Sequence, residues 1–139
     1  MTLKVKLDSG AYLPTRAHKT DAGLDLYTPK AIYIESRSSV VIDTGVHIEL
    51  PPNTVGEIKG KSGLNFKHSL VVPTGTVDVG YTGSIQVKMY NLNSQPYQFS
   101  AGDKVAQLVI VPILTPEPEL VSELEDTERG NGGFGSTGK

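Results

Sequence analysis

Gly75-Thr76-Val77-Asp78-Val79-Gly80-Tyr81-Thr82-Gly83-Ser84-Ile85-Gln86-Val87-Lys88-Met89-Tyr90 changes character at its midpoint. In the second half, Ile85, Val87 and Met89 alternate with Gln86, Lys88 and Tyr90. A period of two with one apolar side is a strand with one buried face. In the first half, a carboxylate and an aromatic ring, Asp78 and Tyr81, are separated by small residues and glycine. The stretch therefore predicts a carboxylate and a ring on a turn held by rigid sheet, the usual way a site is positioned.

The same short period recurs outward in both directions. Upstream, extended segments are predicted at 2–7, 24–27, 31–35, 39–43, 46–50, 55–59 and 70–73. Downstream they are predicted at 97–99 and 104–113. Fifteen glycines and nine prolines break the chain too often for long helices. The one helical segment expected is 62–68, with Ser62 as its N-cap. Short strands joined by turns predict an all-β fold, a sandwich or barrel. The Thr44-Gly45 pair reads as a break between two strands. The run from Lys104 to Ile113 is nearly all apolar, which predicts burial on both faces and an interface with another subunit.

A chain of 139 residues is one domain on size. The boundary is expected at 124, with 1–124 folded and 125–139 a flexible C-terminal segment. A net charge of −2 argues against a non-specific nucleic-acid binder. There are no cysteines, so neither disulfides nor thiolate chemistry enter. His18, His47 and His68 do not fall at metal-ligand spacing. No apolar leader or long apolar run occurs, so a soluble intracellular protein without membrane contact is expected.

Several polar residues admit two readings. Asp25, between Leu24 and Leu26, reads equally as the outward residue of a strand or as a functional acid. Gly56 to Ser62 mimics a phosphate-binding P-loop, but only three residues separate its glycines where four are required. The Gly60-Lys61-Ser62-Gly63 turn remains either a solvated turn or an anion contact built from a cation, a hydroxyl and backbone N–H groups. Gln107, the one polar residue inside its apolar run, needs a hydrogen-bond partner, either structural or a ligand. The tail from Arg129 to Gly138 is too glycine-rich to hold structure alone. Its Arg129, Phe134, Ser136 and Thr137 nevertheless suit a lid that folds over a phosphate-bearing ligand.

Five separated pieces together resemble the motifs of the trimeric dUTPase family. They are Asp21-Ala22-Gly23-Leu24-Asp25-Leu26, Gly60-Lys61-Ser62-Gly63-Leu64, Gly75 to Gly83, Gly102-Asp103-Lys104-Val105-Ala106-Gln107-Leu108, and the tail from Arg129. Their order spans nearly the whole chain. The resemblance implies a distorted jelly-roll β-barrel and a homotrimer with shared active sites. It implies hydrolysis of dUTP to dUMP and pyrophosphate with Mg²⁺, which limits uracil in DNA and supplies dUMP for dTMP synthesis. It casts Asp78 as the base for the attacking water and Tyr81 as the ring beneath the deoxyribose. Backbone groups around Thr74, Gly75, Ser84 and Ile85 would read uracil. Lys61, Ser62, Gly63 and Gln107 would contact phosphate, with Gln107 nearest the α-phosphate. Asp25 would hold waters of the Mg²⁺ shell. Phe134 would stack on uracil, and Arg129, Gly135, Ser136 and Thr137 would complete the lid.

One departure stands out. The second motif usually carries Pro-Arg before Ser-Gly, and here it is Gly60-Lys61, a point charge in place of a bidentate fork. Two further readings share the fold: a deaminase of dCTP, and a binding protein with a regulatory partner. The aromatic glycine-rich tail and the Asp78–Tyr81 spacing favour the hydrolase. Its chemistry needs an in-line water, charge stabilisation and exclusion of solvent, so the lack of a His or Cys cluster is no objection.

Overall fold

The computed structural model describes residues 1–136 and 138. Eleven strands and one helix follow in order: β1 (Lys4–Leu7), β2 (Gly23–Tyr27), β3 (Ile32–Ile34), β4 (Ser39–Asp43), β5 (Val46–Glu49) and β6 (Thr54–Lys59). Then come α1 (Ser62–His68), β7 (Leu70–Val71), β8 (Gly75–Val77), β9 (Gln86–Asn91), β10 (Tyr97–Phe99) and β11 (Lys104–Pro112). The all-β expectation with one short helix is met in a jelly-roll-like arrangement. Among the described residues the strands pair in four separate antiparallel sheets, β1-β5, β3-β10, β2-β11-β6-β8 and β4-β9-β7.

The core lies between these sheets. Along β9, Val87, Met89 and Asn91 are buried while Gln86, Lys88 and Tyr90 are exposed, the alternation read in the sequence. Each fully buried aliphatic side chain of this face stabilises the fold by about 1.5–3 kcal/mol. Buried Asn91 is satisfied: its amide nitrogen donates to the Ile34, Glu35 and Gln95 carbonyls, and its Oδ1 accepts from the Asn93 amide.

Strand β11 joins β2 to β6, and its register against β2 slips between Lys104 and Ala106. Val105 is therefore the extra residue of a β-bulge. Val105 and Ala106 both enter the core with no exposed surface. Beyond them, Gln107 stands opposite Asp25 on one side and Lys59 on the other. Within the single chain, Gln107, Val109, Ile110 and Val111 are only partly buried.

Helix α1 has the expected bounds but a different cap. Lys61, in extended conformation, is the N-cap, and Ser62 is the first helical residue. The Lys61 side chain makes no capping hydrogen bond at this end. Ser69, at φ 55°, ends the helix in the left-handed region. Residues 113–124 form no helix or strand, and Leu114, Leu120 and Leu124 are exposed there. No helix among the described residues is long and apolar enough to cross a membrane.

Candidate active site

The turn after β8 carries the first part of the site. Gly75 pairs with Ile58 of β6, so β8 leaves the sheet at a fixed place. The Tyr81 amide donates to the Asp78 carbonyl at 3.1 Å, and Gly80 at φ 94° lets the chain reverse. The Tyr81 hydroxyl donates to the Ser84 carbonyl at 2.8 Å. Its ring lies over Gly83, where an added Cβ would fall 2.4 Å from the hydroxyl oxygen. Only glycine fits beneath the ring. A cavity of about 380 Å³ results, lined by Ile58, Gly75, Thr76, Val77, Asp78, Tyr81, Ser84, Ile85 and Gln86.

The far wall of that cavity is tied to the corner between β4 and β5. The Asp43 carboxylate accepts the Ser84 hydroxyl and, at 3.0 Å, the Gly45 amide. These two donors hold its pKa below the ordinary carboxylate value. The Thr44 amide and hydroxyl both donate to the Ile85 carbonyl, at 3.0 and 2.6 Å, and the Ile85 amide donates to Val46. Both backbone groups of Ile85 are thus engaged inside the fold. Its side chain lines the cavity. Asp43 and Thr44 are functional neighbours that sequence reasoning treated as strand end and break. The Asp-x-Gly pattern, an aspartate accepting the amide two residues on, was the one local signal available.

A second constellation forms where β2, β11 and the β6–α1 turn meet. Asp25 is 5% exposed, which settles its two readings against an outward strand residue. Lys61 bonds its Oδ1, and Lys104 lies 3.0 Å from its Oδ2. Burial opposes ionisation of Asp25, but the two ammonium groups outweigh it and hold the pKa below the ordinary value. The bulge explains Lys104. In a regular ladder of the same length it would share a face with Ala106 and point into the core. Gln107 Nε2 donates to the Gly60 carbonyl at 2.9 Å. Its Oε1 occupies the space beside Gly23, 2.1 Å from where a Cβ would be. Glycine at 23 is thus the condition for Gln107 lying where it does. Lys61, Ser62 and Gln107 line a cavity of about 340 Å³ with Gly60, Asn65 and Phe66.

The structure therefore gathers Gly75, Asp78, Tyr81, Ser84 and Ile85 in one cleft, and Lys61, Ser62 and Gln107 in another beside Asp25. Gly63 is exposed at the start of α1, and Thr74 is exposed before β8, outside the lining of both clefts. The tail turns on itself: Arg129 Nε donates to the Gly132 carbonyl at 2.7 Å and the Ser136 amide to Gly133 at 3.0 Å. Phe134 is fully exposed, and Gly135 is exposed beside it. No hydrogen bond among the described residues joins the tail to either cleft. Thr137 lies outside the described residues. No group of three or more His, Asp or Glu side chains among the described residues could hold a metal ion. The donor set is one carboxylate with both oxygens engaged by lysine.

The geometry has counterparts among known proteins. The family model for dUTPase matches residues 10–138. The deoxyuridine 5'-triphosphate nucleotidohydrolase of Gloeothece citriformis is 46% identical over 141 aligned positions, covering 99% of this chain and 97% of the relative. That of Clostridium kluyveri is 45% identical and covers 99% of each chain. The solved dUTPase of Staphylococcus bacteriophage 80alpha with dUpNHpp superposes with a TM-score of 0.93 at 35% identity, over 99% of both chains. A phage phi11 dUTPase, described as revealing the coordination of a structural Mg(II) ion, superposes at 0.86 with 35% identity, over 91% of this chain and 100% of that one. Motifs, fold and full-length similarity agree, and the chain belongs to the dUTPase family.

Proposed function

We propose that this chain hydrolyses dUTP to dUMP and pyrophosphate in an active site that neighbouring copies of the chain complete together. The carrying observation is the cleft in which Asp78 and Tyr81 share a wall with Gly75, Ser84 and Ile85, its ring seated on Gly83. A deoxyribose fits against the Tyr81 face, where a 2′-hydroxyl would lose hydration without gaining a partner. Backbone groups at Gly75 and Ser84 face the uracil edge, with Thr74 at the rim. Asp78 orients a water and accepts its proton as the oxygen attacks the α-phosphorus. The bond to the β-phosphate oxygen breaks, and pyrophosphate leaves.

The triphosphate takes its contacts from the second constellation. Lys61 and Ser62, with Gly63 beside them, and Gln107 supply a cation, a hydroxyl and an amide toward phosphate oxygens. The separation of the two clefts within one chain, and the partly buried face of β11, support a homotrimer in which each supplies its half. The tail then works as a 125–139 lid on the 1–124 body. Phe134 stacks on the base while Arg129, Gly135, Ser136 and Thr137 cover the phosphates. Among the described residues, protein side chains alone do not make a Mg²⁺ site, since Lys61 and Lys104 hold both oxygens of Asp25; the ion would accompany the triphosphate, with Asp25 reaching its waters if a lysine turns to phosphate. When bound, Mg²⁺ neutralises phosphate charge.

Pyrophosphate release from dUTP, dTTP, dCTP and UTP, with ammonia measured for dCTP, tests the reading. Selective release from dUTP is expected. Equal turnover of UTP, or ammonia from dCTP, would overturn it. Light scattering should give a trimer, and a fully active monomer would refute the shared site.

A further inference from the structure

We infer that His47 is a positioning residue for the nucleoside cleft: its imidazolium braces the Tyr81–Ser84 turn against the turn after β1, so nucleotide affinity falls when His47 loses its proton. The inference rests on the dUTP-hydrolysing function proposed above.

His47, on β5, has both ring nitrogens engaged. Nδ1 lies 2.7 Å from the Thr82 carbonyl oxygen and Nε2 lies 2.9 Å from Asp8 Oδ1. A carbonyl oxygen only accepts, and so does a carboxylate oxygen. Both ring nitrogens must therefore donate, which a neutral imidazole cannot do. After loss of one proton, a ring lone pair faces an acceptor. The carboxylate is the stronger acceptor, so the remaining N–H goes to Asp8 and the Thr82 contact opens.

Thr82 sits between the two residues whose packing forms the cleft. Tyr81 precedes it with its hydroxyl on the Ser84 carbonyl, and Gly83 follows with no room for a Cβ beneath the ring. A shift of the Thr82 carbonyl is thus passed to the ring that meets the sugar. The Asp43–Ser84 and Thr44–Ile85 bonds hold the far end of the same wall and involve no atom of His47. The expected effect is therefore graded, and it falls on binding more than on the reacting water.

Charged groups reach His47 from each neighbouring element. Asp8 follows β1, and Lys6 of β1 stands directly across the pair from His47. Lys4 and Glu49, paired at 2.8 Å, line the same cavity of about 330 Å³, as does Thr82. Asp43 approaches from β4. The Thr82 carbonyl, helped by the Asp8 carboxylate, outweighs desolvation and Lys6, and raises the His47 pKa above its ordinary value. With a raised folded value, the brace is complete below about pH 6.5 and is lost as pH rises through the higher value. The side chain is 22% exposed, so solvent reaches it.

The test is KM and kcat for dUTP from pH 6 to 9.5 in wild type, His47→Gln and Asp8→Asn. In wild type, KM rises by roughly 3- to 10-fold across the alkaline limb while kcat changes by less than about 2-fold. His47→Gln keeps a donor toward Thr82 but does not titrate, so the limb disappears. Asp8→Asn moves it to lower pH. An NMR titration of the wild-type imidazole, with and without the non-hydrolysable dUpNHpp, gives a second readout independent of any variant. By linkage, the analogue must raise the His47 pKa. A KM limb that persists in His47→Gln, or a His47 pKa unmoved by the analogue, overturns the inference alone. Wild-type protein that releases no pyrophosphate from dUTP overturns the function it rests on, and the inference with it.

Discussion

Gly23→Ala tests whether the second constellation is held by steric necessity. A Cβ at Gly23 would lie 2.1 Å from Gln107 Oε1, 2.9 Å from its Cδ and 3.0 Å from its Cβ. Ordinary contact is about 3.5 Å, so the carboxamide must retreat by roughly 1.5 Å. The Gln107 Cβ is fixed to β11 and cannot swing aside. The bond from Gln107 to the Gly60 carbonyl, now 2.9 Å, would open beyond the hydrogen-bonding limit. Overpacking costs about 1–3 kcal/mol and the lost bond about 1 kcal/mol. A fall in Tm of roughly 5–15 °C follows for a chain of this size. The assay is a double-mutant cycle with Gln107→Ala, by thermal and urea unfolding at one protomer concentration. Gln107→Ala removes the Oε1 and Cδ contacts and leaves only the 3.0 Å contact to Cβ, so Gly23→Ala should cost much less in that background. A coupling of about 1–3 kcal/mol is expected. Strictly additive costs would refute the reasoning.

Asp78→Asn should leave folding and nucleotide binding intact and lower turnover by roughly 10²–10⁴-fold, and near-normal turnover would remove Asp78 from the mechanism. Gly83→Ala should displace the Tyr81 ring and reduce the preference for dUTP over UTP by about 10-fold in kcat/KM; an unchanged ratio would show that the ring does not gauge the sugar. Removing residues 129–139 should leave the oligomer folded with turnover down about 10²-fold, whereas unchanged kcat would mean the tail is not a lid. Asp25→Asn should cost about 1.5–3 kcal/mol at pH 7. The Asp25 pKa is lowered on folding, so its stabilisation is complete above about pH 4 and is lost as pH falls through the lower folded value. Unfolding curves of Asp25→Asn should therefore lack part of the acid-side loss that wild type shows.

Strands and turns were legible because period-two alternation and glycine placement are local properties. The alternation around Val87 and Met89 placed β9 and its buried face directly. Asp25 was not legible in the same way. Whether a strand acid is buried depends on what arrives opposite, and its partners come from the β6–α1 turn and the start of β11. Asp43 and Thr44 are hidden for the same reason: their partners at Ser84 and Ile85 lie 41 residues away. The bounds of α1 are legible in the sequence and its cap is not: Ser62 has the composition of a cap, while Lys61 has the extended backbone of one. The five motifs named the chemistry, but the conditions that hold it in place were visible only in three dimensions.

The bulge in β11 divides that strand into two reading frames. From Ala106 onward, odd-numbered positions face Asp25; before the extra Val105, the even-numbered Lys104 does. Length changes here do not act as they would in a regular strand. Deleting Val105 would leave Lys104 opposite Tyr27 and still beside Asp25, while a fully buried side chain vanished from the core. Regularising the ladder at constant length would do the reverse, sending the ammonium group inward and presenting a valine to the carboxylate. When related chains are aligned, a one-residue gap at Val105 would thus mark lost packing with the charge constellation preserved. A hydrophobic pattern matched without that gap would put the cation on the wrong face.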